Sequence, residues 1–104
     1  FALDGLSQLI YTVNLIRKQL NRLLTIEGIV FTMYDSRTNL SMQVVDNVKQ
    51  NLNQHIYNTI IPRNVRLAES PSYGMPIIAY DPRSAGAEHY MMLADEVIAN
   101  DYYK

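Results

Sequence analysis

The chain has 104 residues, enough for one domain with a single modest core. Apolar residues make up 48% and charged residues 18%, which excludes a disordered polypeptide, and a net charge of -1 excludes a global pull onto nucleic acid or an acidic membrane. There is no cysteine, hence no disulfide or thiolate chemistry, and no apolar run approaches the ~20 residues that span a bilayer. The first residues, Phe1-Ala2-Leu3-Asp4-Gly5, lack the basic region of a signal peptide, and a start at Phe1 instead of Met leads us to expect a piece or a processed product of a longer protein.

From Leu3 to Leu24, apolar residues fall at Leu6, Leu9, Ile10, Val13, Ile16, Leu20 and Leu23. Those steps of three and four predict an amphipathic helix, with Arg17, Lys18 and Arg22 in the half where cations suit the helix dipole. Ile26–Met33 is a nearly continuous, β-branched apolar run, as expected of a strand buried on both faces in a parallel sheet. The polar loop Tyr34–Asn39 offers Thr38 or Asn39 as the N-cap of a second helix, whose apolar face is Leu40, Val44, Val45, Val48 and Leu52 and which fades near Asn51–Asn53. His55–Ile61 is a second strand, ended by Pro62. Strand, helix, strand makes a βαβ unit with parallel strands and a right-handed crossover.

After Pro62 the spacing predicts a loop stiffened by Pro71 and Pro76, with Gly74 at positive φ, and then an extended piece over Pro76–Tyr80. A last helix follows, capped either by Asp81 with Pro82 at its first position or by Ser84. Its predicted buried stripe is Ala87, Tyr90, Met91, Ala94, Val97 and Ile98, and Tyr102–Lys104 reads as a frayed tail. Two parallel strands leave both sheet edges open, so the expected fold class is α/β: a βαβ unit flanked by helices, forming the later portion of a larger parallel sheet.

If the strands are parallel, the loops after Met33 and after Ile61 leave the same sheet edge, where open α/β sheets hold their ligands. Arg37, Arg63 and Arg66 then gather there. Forked guanidinium groups suit a nucleotide, a nucleic-acid backbone or an acidic partner. The competing reading is structural: Arg63 and Arg66 pair with Glu69 and Asp35 to staple the loops. Other chemistries lack their motifs. The four glycines lie too far apart for a phosphate loop, His55 and His89 have no metal-ligand spacing and read as structural, and Ser70 and Ser72 have no nearby histidine as general base. Tyr34 and Tyr73 stand in the arginine-bearing loops.

The stretches Phe1-Ala2-Leu3-Asp4-Gly5-Leu6-Ser7-Gln8-Leu9, Thr32-Met33-Tyr34-Asp35-Ser36-Arg37-Thr38-Asn39-Leu40, Ile61-Pro62-Arg63-Asn64-Val65-Arg66-Leu67 and Tyr80-Asp81-Pro82-Arg83-Ser84 resemble the ParA/Soj chromosome- and plasmid-partition ATPases. The likeness runs over essentially all of residues 1–104 and covers only the C-terminal two-fifths or so of such a protein. It implies a P-loop NTPase-type fold, cytoplasmic and nucleoid-associated in bacteria, that binds ATP with Mg²⁺, dimerises around the nucleotide, binds DNA without sequence preference and answers to a ParB-like partner. The phosphate loop and the magnesium ligands of that family belong to its N-terminal part, so this chain is expected to hold no catalytic or metal-binding residue and to be inactive alone.

By the same resemblance, Met33, Asp35, Pro62 and Asn64 match the base end of the nucleotide pocket, and Arg37, Arg63 and Arg66 match the DNA-contacting positions. Three phosphate contacts would give a salt slope of about −3 per protomer. The sequence departs from the family at Met75 and Ala85, where basic residues are common, and at Ser70, where alanine is. Two alternatives stand beside this reading. A MinD-like membrane-cycling ATPase would end in a basic amphipathic helix, whereas Asp95–Asp101 is acidic. The other is a non-catalytic interaction module of the same fold.

Overall fold

The computed structural model describes residues 2–102. The chain runs α1 (Ala2–Gln19), β1 (Ile29–Tyr34), α2 (Asn39–Asn51), β2 (Ile56–Pro62), α3 (Val65–Glu69), a 3₁₀ turn (Ser70–Tyr73), α4 (Ile77–Tyr80) and α5 (Ala85–Tyr102). The tail expected to fray falls at Tyr103 and Lys104 outside the described residues. Among those residues, β1 and β2 form a two-stranded sheet. The Ile29 N–H donates to the His55 carbonyl and the Arg63 N–H to the Tyr34 carbonyl. The register therefore advances in the same sense along both strands, and the sheet is parallel, as the βαβ reading requires.

The chain divides into two compact units, one made of the segment up to Ile29 with Thr38–Ile56, the other of Val30–Arg37 with everything from Tyr57 onward. In the first, α1 and α2 pack together. Helix α1 stops at Gln19, five residues before the predicted Leu24. The reason is Asn21: its Oδ1 accepts from Leu23 N–H (3.1 Å) and its carbonyl from Leu24 N–H, a local turn that competes with further helix. Leu20 and Leu23, assigned above to the buried face, are 82% and 91% exposed. Helix α2 begins where expected. Thr38 is extended, and its Oγ1 accepts from Ser41 N–H (3.3 Å), with Val45 and Val48 buried further along. Leu40, in its first turn, is exposed instead of buried.

In the second unit, Tyr57, Thr59 and Ile61 of β2 are buried and alternate with less buried neighbours, the two-residue period of a strand. Helix α5 is fastened to β2 by polar groups. The Glu96 carboxylate accepts from the N–H groups of Asn58 (2.7 Å) and Thr59 (2.8 Å), and His89 Nδ1 donates to the Ile60 carbonyl (3.0 Å). The predicted α5 stripe is therefore rotated. Ala87 is buried and Val97 half-buried as expected, but Tyr90, Met91, Ala94 and Ile98 are exposed, and Gly86, His89, Leu93 and Glu96 share the inner face. A face that pairs backbone groups does not announce itself by hydropathy.

The stretch predicted as a loop folds into α3 and the 3₁₀ turn. Asn64 starts α3 by accepting from Leu67 N–H through Oδ1 (3.2 Å). Gly74 closes the turn at φ 62°, in the left-handed region that its lack of a Cβ permits. Pro76–Tyr80 is a helical turn, not the extended piece expected. The Pro76 carbonyl accepts from the N–H groups of Ala79 (3.0 Å) and Tyr80 (2.9 Å), and Ile77 is buried. A four-residue apolar run fits either state, and burial of Ile77 selects the helix. Of the two caps proposed for α5, Ser84 is the one used: its Oγ accepts from Ala87 N–H (3.0 Å). No described helix is long and apolar enough to cross a membrane.

Candidate functional site

Because the strands are parallel, the ends of β1 and β2 open on one edge of the sheet. A cleft of about 710 Å³ lies there, between Thr32–Arg37 on one side and Ile61–Val65, Leu67, Ala68 and Tyr90 on the other. Its volume is in the range of small-molecule sites. Six of the seven residues singled out from the sequence line it: Met33, Asp35, Arg37, Pro62, Arg63 and Asn64. Arg66 does not.

Met33 has φ 55°, in the left-handed region, and is 68% exposed. For a residue with a side chain that conformation costs roughly 1–2 kcal/mol. The penultimate residue of β1 is thus strained and exposed at the cleft, as residues at functional edges often are. Pro62 ends β2 and presents a ring without an N–H. Asn64 commits Oδ1 to capping α3, so its Nδ2 is the donor it can offer a ligand.

Asp35 and Arg37 form a forked ion pair, Nε to Oδ1 at 2.9 Å and Nη2 to Oδ2 at 3.0 Å, and the Arg37 backbone N–H also donates to Oδ1 (3.0 Å). The two partners differ in setting: the Asp35 side chain is 17% exposed and that of Arg37 83%. The hydrogen bonds from the Arg37 side chain and backbone, helped by the positive charges of Arg37 and Arg63, hold the Asp35 carboxyl down at about 2. With the folded value below the ordinary one of 3.8, the pairing contributes above that ordinary value and fades as pH falls toward about 2. We expect the Asp35 carboxyl carbon to titrate by NMR with a midpoint near pH 2, and Arg37→Gln to move it back up. An ordinary midpoint in the unmodified protein would show that the fork does not persist in solution.

Arg66 belongs to a different cluster. Its Nε lies 3.2 Å from Asp81 Oδ2, its Nη1 3.2 Å from Glu69 Oε2, and its guanidinium carbon 6.0 Å from the centre of the Tyr80 ring. The Tyr80 hydroxyl donates to Glu69, and Tyr80 stacks on Tyr73 with ring centres 5.0 Å apart. The expected trio of arginines is thus divided, with Arg37 and Arg63 on the cleft and Arg66 in the stapling role named as its alternative. The staple pairs Arg66 with Glu69 as that alternative held, but Asp35 pairs with Arg37 instead of Arg63. Sequence reasoning missed the part of Tyr90, a helix residue far along the chain, and of Asp81, read only as a cap. Among the described residues no group of three histidine or acidic side chains could hold a metal ion.

The family description of CobQ/CobB/MinD/ParA nucleotide binding domains matches residues 4–77. The sporulation initiation inhibitor protein Soj of Bacillus subtilis is 59% identical over 100 residues, covering 96% of this chain and 40% of its own length. The chromosome-partitioning ATPase Soj of Treponema pallidum is 50% identical over 101 residues (97% of this chain, 40% of its own), and the chromosome partitioning protein ParA of Myxococcus xanthus 48% over 101 residues (97% and 36%). The chain spans about two-fifths of the length of these relatives.

Proposed function

The chain belongs to the CobQ/CobB/MinD/ParA nucleotide-binding family, and from that membership we propose that it is the C-terminal part of an ATP-dependent partitioning ATPase, supplying the base end of the nucleotide pocket and part of a DNA-binding surface. The observation that carries this reading is the cleft, where Met33, Asp35, Pro62 and Asn64 stand beside Arg37 and Arg63 at one sheet edge. The donor set fits an adenine. Met33, Pro62 and Tyr90 offer apolar contact to its faces, Asp35 an acceptor for its amino group and Asn64 a donor for a ring nitrogen. The phosphates and Mg²⁺ are bound by other parts of the intact protein, which supply the hydrolytic chemistry. This chain's residues bind and orient the base.

Arg37 and Arg63 meet DNA phosphates, which carry no base information, so the binding is blind to sequence. Arg66 contributes less than the family pattern implies, because Glu69 and Asp81 already neutralise it. The intact protein is a homodimer when ATP-loaded, works with a ParB-like partner in the bacterial cytoplasm and is active on the nucleoid.

The test is Arg37→Gln with Arg63→Gln in the full-length protein. We expect duplex DNA affinity to fall by about tenfold at moderate salt, and the salt slope to shrink by about two, one per lost contact, with ATP affinity held. Equal loss of ATP and DNA binding would place both arginines in the nucleotide site, and loss of neither would remove the cleft from the mechanism.

A further inference from the structure

The base-facing and phosphate-facing groups of the cleft are not independent, because Asp35 belongs to both. We infer that Asp35 is a positioning residue for Arg37: its carboxylate holds the guanidinium back from phosphate, and releases it when the amino group of a bound base takes over a carboxylate oxygen. The inference rests on the reading just proposed and adds a link between its two halves.

The geometry argues for it in three ways. A carboxylate has about four lone-pair positions, and Arg37 alone takes three of them, through Nε, Nη2 and its backbone N–H. A further donor in the cleft draws on the same carboxylate and so weakens its hold on the fork. The partners also differ in freedom. Asp35 is largely covered and lines the cleft, whereas the Arg37 side chain is 83% exposed and tied through its fork, so the arginine is the one that swings. Finally, the backbone bond to Oδ1 holds Asp35 in place when the fork opens, so losing one pairing does not unravel the loop.

An exposed ion pair holds back little, which sets the size of the effect: two- to fivefold, roughly. We would measure binding of a random-sequence duplex to the full-length protein without nucleotide, with ATP, and with inosine triphosphate, which has a carbonyl where adenine has its amino group. Asp35→Asn keeps an oxygen to accept the Arg37 backbone N–H and removes the charge that holds the fork. It should bind duplex about two- to fivefold more tightly than the unmodified protein without nucleotide, with a correspondingly smaller gain on adding ATP. In the unmodified protein, ATP should enhance binding more than inosine triphosphate does, and in Asp35→Asn the two should act alike.

Arg37→Lys keeps the charge but cannot form the fork. It should show the same raised basal affinity and the same loss of ATP preference, which a merely structural role for the pair would not produce. If both variants bind duplex without nucleotide no better than the unmodified protein, or keep the full preference for ATP, the link is overturned. A silent Asp35→Asn alongside the tenfold loss in the Arg37→Gln, Arg63→Gln protein sinks this inference alone, while silence in all of these variants sinks the cleft reading as well.

Discussion

Glu96→Ala is expected to lower the stability of the folded chain by about 2–4 kcal/mol, read as a fall in the urea midpoint with an unchanged slope. The carboxylate accepts two backbone N–H groups, from Asn58 and Thr59, and Thr59 is buried. Hydrogen bonds to a charged acceptor contribute about 1.5–3 kcal/mol each, and a covered donor left without a partner loses its hydration as well. Alanine at 96 removes both acceptors at once. Glu96→Gln separates geometry from charge. Its amide oxygen can serve one donor while its NH₂ group confronts the other, so its loss should fall near half that of alanine. Asp95→Ala, at the exposed neighbouring position, should be nearly silent. If alanine at 95 and at 96 cost the same, the two short bonds to β2 do not hold α5 in place.

The same contacts explain why parts of this fold are legible in the sequence and parts are not. β2 was legible because an apolar run there is ended by Pro62. The start of α2 was legible because Thr38 is a capping residue before an apolar period. Both signals are local. α5 was legible as a helix but not in its orientation, since Glu96 and His89 face β2 for hydrogen-bonding reasons while Met91 and Ile98 face outward. α4 was misread because four apolar residues carry no period, and what selects its state is burial of Ile77. The end of α1 depends on one asparagine side chain, a competition that periodicity does not register.

The site divides along the same line. That two distant loops share an edge followed from parallel strands alone, and six residues of the candidate set do line one cleft. Which guanidinium has which partner did not follow. Arg63 and Arg66 are three residues apart, which on α3 suggests a common direction, but Arg63 precedes the Asn64 cap and lies outside the helix. Arg66 is one residue into α3, beside Glu69 one turn on and Asp81 beyond α4. The helix that sequence reading missed is what separates the two arginines. Net charge is a limited guide for the same reason: a chain at -1 still brings two arginines to one cleft, while Glu69 and Asp81 pair with Arg66 elsewhere.

Gly86→Val is expected to destabilise the chain by up to about 3 kcal/mol, and to disturb the cleft from a position outside it. Gly86 stands in the first turn of α5 and is buried against Leu67 of α3. A Cβ at 86 would come within 2.5 Å of Leu67 Cγ and within 2.9 and 3.0 Å of its two methyl carbons. The nearest atom is the branch point of the side chain, so turning the methyls alone does not clear the clash, and either Leu67 leaves its rotamer about Cα–Cβ or α3 moves. Against this, replacing glycine in a helix gains at most ~1 kcal/mol of propensity, less at a terminal turn. Overpacking therefore wins, modestly for alanine and more for valine. Since Leu67 and Ala68 line the cleft and Asn64 caps α3, the displacement reaches the proposed base-binding groups. Gly86→Val should thus weaken nucleotide binding along with stability. Leu67→Ala in the same chain should recover part of both, a coupling of roughly 1 kcal/mol or more that independent sites would not show. If Gly86→Ala proves stabilising and Leu67→Ala simply adds its own cost, Leu67 swings aside freely, and the close approach of α3 to α5 does not constrain the cleft.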